Sequence, residues 1–352
     1  MNTAIHSRRF SVSGFSLIEL MIAMAISLIL LLGVTQIYLG TSATNRAQEG
    51  LSRVQENARF AIDSLSRDIR HAGYFGCPRT ANAEPQRIMA DRARANEEMF
   101  LADNYIFGVQ NANNDSFWGN DKPDTDADGI NVVDGMPAVR ITYSSTSDAV
   151  PEDGSFDGAN FDLQENPDRF TQGDLITITD CTRTEIAEIS NVTESGGGAS
   201  INIAHGGNVN SPHNDLDNDA FSDEARAMRT YQFVYFIGTN PSGETSLYRR
   251  DLAAAEENRS RELVEGVEEI RIQYGEDTSG NLQADTYRSA EAVNDWSTVM
   301  SVRIALLLAS GDVLSEQRAR DFNLLGETVN TGPDRRIRQV ATTTVSLRNR
   351  QE

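Results

Sequence analysis

A single carboxylate, Glu19, stands at the head of an apolar run that carries no further charge until Arg46. Ionisable groups in hydrocarbon cost roughly 2.5–3.5 kcal/mol on insertion scales, so one found there usually has a partner and a purpose. The uncharged span 20–45 covers 26 residues. As a helix it is about 39 Å long, against a hydrocarbon core of about 30 Å. It can cross a bilayer with some tilt or overhang. The chain is therefore built around one long amino-terminal helix, and the rest must fold outside the membrane.

A secretory signal places its apolar region before the cleavage site and loses it. Here the order is reversed. Residues 1–14 form a short leader carrying Arg8 and Arg9 and no acid, and the apolar run follows Gly14. Cleavage after Gly14 would leave the membrane segment in place and create a new amine at Phe15. The positive leader predicts a cytoplasmic amino terminus and a head on the far side of the inner membrane. A carboxylate and an ammonium about 4 Å apart gain about 4 kcal/mol at an effective dielectric near 20, enough to offset the insertion cost. An ordinary signal anchor with a stray acid is the alternative.

The segment Gly14-Phe15-Ser16-Leu17-Ile18-Glu19-Leu20 resembles the class III leader junction of type IV pilins and type II secretion pseudopilins. The resemblance implies cleavage after Gly14 by a prepilin peptidase and methylation of the Phe15 amine. It also implies a Glu19 carboxylate that meets a neighbouring subunit's amino terminus and sets axial register in a filament.

Beyond the membrane the helix continues. At about 100° per residue, Leu51, Val54, Ala58, Ala61, Ile62, Leu65, Ile69 and Ala72 share one face. Glu49 with Arg53 and Asp63 with Arg67 are acid-then-base pairs four apart. Arg67, Arg70 and His71 suit the negative end of the helix dipole, and Gly73 suits a left-handed cap. The helix is thus expected over 15–73, with a transmembrane part at about 17–44 and an amphipathic part at about 45–72. Gly33, Gly40 and Gly50 are candidate soft points. Phe60 lies off the stripe, as a single exposed apolar residue or a contact for another subunit.

The stretch 56–63 leading into Ala72-Gly73-Tyr74-Phe75-Gly76-Cys77 resembles the PilW family of type IV pilus minor pilins. Residues 342–350 are similar to that family's closing strand, and 296–308 to the apolar strand before it. Membership implies a place among other minor pilins and the major pilin, in a complex that primes assembly and sits at or near the pilus tip, at the cell surface.

The head, 74–352, reads as strands: 139–143, 175–179, 185–192 and 199–204, then 231–237, 245–249, 268–274, 298–308 and 340–347. Residues 195–198 supply a turn, and 268–274 alternates polar and apolar as a half-buried strand does. A helix stripe needs an apolar sheet to cover it, so the expected fold is α+β and pilin-like, with the long helix packed on a mostly antiparallel β-rich head. The polar stretches 81–114 and 208–223 read as insertions or surface loops.

Net charge is −21 over 352 residues, and loss of Arg8 and Arg9 with the leader makes it −23. Nucleic acid is therefore not an expected partner, because phosphate contacts need clustered Lys and Arg. The two cysteines, Cys77 and Cys181, allow one disulfide, favoured outside the cytoplasm; two separate buried thiols are the alternative. Asp124, Asp126 and Asp128 before Gly129 carry the D-x-D-x-D-G spacing of a calcium loop, but the twelfth place is Gly135 rather than Glu. Solvated loop surface is the other reading, as it is for Asp215, Asp217, Asp219 and Asp223. No cofactor is otherwise required. His205-Gly206-Gly207 stands without a G-x-S-x-G, and no H-E-x-x-H occurs, so the expected protein is not an enzyme. Two further readings remain: a GspJ-like pseudopilin of a type II secretion system, and a membrane-tethered adhesive, sugar-binding or hydrolytic domain.

Overall fold

The structure is a computed structural model that describes residues 16–77, 87–88, 105–118, 121–123, 129–152, 160–195, 198–203, 221–222, 224–254 and 260–350. One helix, α1 (Leu17–His71), runs unbroken for 55 residues. Gly33, Gly40 and Gly50 do not interrupt it. It is long and apolar enough to cross a membrane, and its most apolar window is wholly uncovered by the rest of the chain.

Burial within the head begins at Gly50, the first buried residue of α1. Val54, Ala58, Ala61, Leu65, Ile69 and Ala72 are then buried in one cluster with residues from two sheets. Each of the larger aliphatic side chains contributes about 1.5–3 kcal/mol on burial. Leu51 departs from the expected stripe and is 40% exposed. Gly50 takes the inner position because Val313 lies against it; a Cβ there would meet Val313 Cγ2 at 3.1 Å. Neither Glu49 with Arg53 nor Asp63 with Arg67 closes into an ion pair among the described residues, as exposed pairs often fail to offset the entropy of holding two long side chains.

The larger sheet has nine strands and is organised by Arg226–Thr239. That strand pairs antiparallel with Leu175–Thr179 near its start, with Ala138–Ser144 at its middle and with Thr245–Asp251 toward its end. The second sheet orders Thr286–Arg288, Val267–Glu276, Val299–Asp312 and Arg336–Ser346, all antiparallel. α1 lies mainly against Arg336–Ser346 and Val299–Asp312, with further contacts to Ser260–Glu265 and Ala138–Ser144. This is the α+β arrangement expected, a long helix on a mostly antiparallel β-rich head.

Two expectations change. The single strand expected at 185–192 divides into Thr184–Glu188, in the large sheet, and Asn191–Ser195, in a three-stranded sheet with Gly198–Asn202 and Asn160–Leu163. The break falls where the Ile189 amide bonds Asp174 O and the Ser190 amide bonds Asn202 O, so the chain changes ladders there. Within the polar stretch 81–114, Ile106–Val109 is a sheet strand paired with Ala138–Ser144, and Arg87–Ile88 pairs parallel to Thr184–Glu188. Tyr105 also packs on Phe75, ring centres 5.1 Å apart.

α1 stops at Gly73. Its φ is +75°, a region that suits glycine, and its amide donates to Thr142 O at 2.9 Å. A Cβ here would stand 2.6 Å from Tyr105 Cδ2. Gly73→Ala is expected to cost about 1–3 kcal/mol, read in the full-length protein as a lower urea midpoint at constant m-value. An unchanged midpoint would show that this turn does not set the helix end.

Candidate assembly site on the amino-terminal helix

Ser16 is extended and caps α1, and Glu19 occupies the third position of the first turn. The Glu19 carboxylate is exposed and accepts a hydrogen bond from the Ser16 backbone N–H at 3.0 Å. It thereby satisfies one of the four free amides that every helix start presents. Around it Leu17, Ile18, Leu20 and Met21 are all more than half exposed. Gly14 and Phe15 lie outside the described residues.

At the other end of α1 the structure buries a carboxylate that the sequence pattern did not single out. Asp68 is 3% exposed and is held by three groups from the large sheet. Tyr143 Oη donates to Asp68 Oδ1 at 2.9 Å, Tyr235 Oη donates to Oδ2 in a very short bond, and Arg249 Nη1 lies 3.3 Å from Oδ2. Ser64 Oγ, one turn earlier, sits 3.2 Å from Tyr235 Oη. Since that phenol gives its proton to Asp68, Ser64 is the donor. Arg249 also stacks its guanidinium 4.0 Å from the Phe233 ring centre.

Burial, and then the negative Asp68, raise the pKa of both Tyr143 and Tyr235 well above the usual phenol value. Both phenols therefore stay protonated and remain donors. His71, whose ring centre is 5.4 Å from Tyr143, is shifted down. Its burial dominates, Asp68 opposes, and Arg348, Arg67 and Arg70 add to the depression. The signal for Asp68 was present in the helical wheel: Leu65, Asp68 and Ala72 follow the i, i+3, i+7 spacing of the buried face.

Cys77, just past the helix, is disulfide-bonded to Cys181 across a separation of 104 residues. That bond ties the turn after α1 to the far end of Leu175–Thr179. Asp124, Asp126 and Asp128 lie outside the described residues. Among the described residues no group of three or more His, Cys, Asp or Glu side chains is placed to hold a metal ion.

A long apolar helix with an acid in its first turn, carrying an antiparallel head on its polar half, defines a pilin-like subunit. The prokaryotic N-terminal methylation motif matches residues 9–35, which include Gly14, Phe15 and Glu19. The family of the type IV pilus-assembly protein W matches residues 234–349, from the second half of the central strand through the closing turn. No curated protein and no solved structure matches the chain. The two matches, one at the amino-terminal segment and one over about the last third of the chain, support a type IV pilus minor pilin of the PilW family. Pilin domains of this family are structural rather than enzymatic.

Removing one member of a buried charged pair typically costs about 3–5 kcal/mol. Asp68→Ala is expected to lose about that much stability, and Asp68→Asn, which keeps an acceptor but not the charge, about 1–3 kcal/mol. Chemical unfolding of the full-length protein measures both; two values near zero would show that the cluster does not hold α1 to the sheet.

Asp251, at the end of Thr245–Asp251, is a second buried acid. Burial raises its pKa from 3.8 to about 6, against amide hydrogen bonds from Gln232 and Ala253 and the charges of Arg229 and Arg249. Between those two values the folded chain holds a proton that the unfolded chain has released. Stability from this group therefore grows as pH falls through the window and is least above it. Asp251→Asn retains an acceptor for the two amides. It is expected to raise stability above that window and to flatten the pH profile across it, in urea titrations on either side. An unaltered profile would remove Asp251 as its source.

Proposed function

We propose that this chain is a minor pilin of a priming and tip complex that initiates pilus assembly. A prepilin peptidase cuts after Gly14, and the new Phe15 amine is methylated. α1 holds the subunit in the inner membrane with the head outside, until extraction carries it to the pilus tip with other minor pilins and the major pilin. The observation that carries this reading is the uncovered first half of α1 with Glu19 at its head. An exposed apolar surface of that length has to be covered by lipid or by other helices.

Glu19 registers one subunit on the next. In the free chain its carboxylate caps its own helix through Ser16, a bond worth about 0.5–1.5 kcal/mol net. An ammonium about 4 Å away offers about 4 kcal/mol at an effective dielectric near 20. The intermolecular partner therefore wins, and the cap serves as a holding position. Nothing in this role depends on calcium at Asp124, Asp126 and Asp128.

Deletion of the gene is expected to abolish surface pili. The native gene should restore them, and neither Glu19→Ala nor Glu19→Gln should, although glutamine can still cap the helix. Electron microscopy and sheared-pilus yield provide the measurement. Normal piliation in the deletion strain, or full rescue by Glu19→Gln, would overturn the proposed role.

A further inference from the structure

We propose that a cleft at the head end of α1 is a docking site for an acidic segment of a neighbouring subunit. The cleft has a volume of about 840 Å³ and is lined by Arg67, Arg70, His71 and Tyr74 from α1 and its exit turn, with Arg348 from the other end of the chain. Asn349 brings that second end into place, its Nδ2 donating to His71 O and to Ala72 O at 3.2 Å each. Asp63 is the one carboxylate among the described lining residues.

Arg67, Arg70 and Arg348 are exposed, and among the described residues none of them forms an ion pair. Several other arginines of the head are matched: Arg229 with Asp174, Arg271 with Glu269 and Glu327, Arg338 with Glu268 and Asp334. In a chain with 52 acids and 31 Lys and Arg, three guanidiniums gathered beside a single lining carboxylate, none of them ion-paired among the described residues, leave room for an external anion. Burial is the main cause of the lowered His71 pKa, and the charges of Arg348, Arg67 and Arg70 add to it.

The chemistry favours separated carboxylates over a compact phosphate. Compact anions settle on free backbone amides at helix starts. This cleft lies at a helix end, where carbonyls carry the negative pole of the dipole and repel an anion at the centre. Guanidiniums on successive turns and on a second element instead suit side-chain carboxylates spaced along a polypeptide. A neighbouring pilin subunit is the polypeptide that assembly would bring there, and that identity rests on the function proposed above.

The test uses the purified full-length protein in non-ionic detergent, with fluorescein-labelled octaglutamate as the probe and anisotropy as the readout, so it does not depend on piliation. Native protein is expected to bind with an affinity that falls as salt rises. The double variant Arg67→Gln with Arg348→Gln should bind about tenfold more weakly. Both side chains are exposed, so its unfolding midpoint should stay native. Arg70→Gln alone should give a smaller loss, and Arg318→Gln, on the hairpin Arg318–Leu324 with Glu327–Asp334, none. No binding by native protein would overturn the proposal. So would equal binding by the double variant, or displacement of the peptide by inorganic phosphate beyond that by chloride at equal ionic strength.

Discussion

The Asp68 carboxylate, buried between α1 and the large sheet, is the constraint on which the placement of the helix depends. Apolar packing alone is forgiving about rotation, since a stripe containing Ala58, Ala61 and Ala72 presents few features to distinguish neighbouring registers. A buried charge is not forgiving. Turning α1 by one residue would withdraw Asp68 from Tyr143, Tyr235 and Arg249 and leave ionised and polar groups without partners, each at a cost of one or more kcal/mol. The pair contributes little net stability of its own, because desolvation consumes most of the Coulomb gain. Its effect is to make the wrong registers expensive. Through it, the direction in which the uncovered half of α1 leaves the head is fixed.

That direction matters because Asp68 and Glu19, two carboxylates of this helix, have opposite situations. Asp68 is satisfied within the chain and joins helix to sheet. Glu19 has only a local cap and sits among exposed apolar side chains, and the role proposed for it is to meet a partner from outside. The structure between them transmits position: the disulfide from Cys77 and the Gly73 turn tie the end of α1 to the large sheet, while Asn349 ties it to the end of the chain. The head is thereby tied to the end of its helix at several points.

Much of the fold was legible in residue order. Alternating and β-branched runs located the principal strands, and 175–179 agrees with the structure to the residue. What escaped were elements that local pattern cannot reveal. Ile106–Val109 is four residues long in a polar neighbourhood, and only its pairing to Ala138–Ser144 makes it a strand. The run 185–192 looks continuous because both halves have strand character; two different ladders compete for it, and Ile189 and Ser190 take the change. Leu51 yielded its place to Gly50 because Val313, more than two hundred residues away, needs the space.

By itself the sequence determined the elements whose physics is local: a membrane-length apolar run, a carboxylate at its head, the glycine that ends the helix and the composition that makes the chain acidic. These follow from hydrophobic length, helix periodicity and backbone sterics, and no distant residue can alter them. The tertiary structure alone decided which partners each charge meets. Asp68 and Asp63 both lie on α1, yet one meets two phenols and a guanidinium while the other faces an open cleft. The reason is that the energy of a charge is set by what surrounds it, and those surroundings are assembled from strands far along the chain.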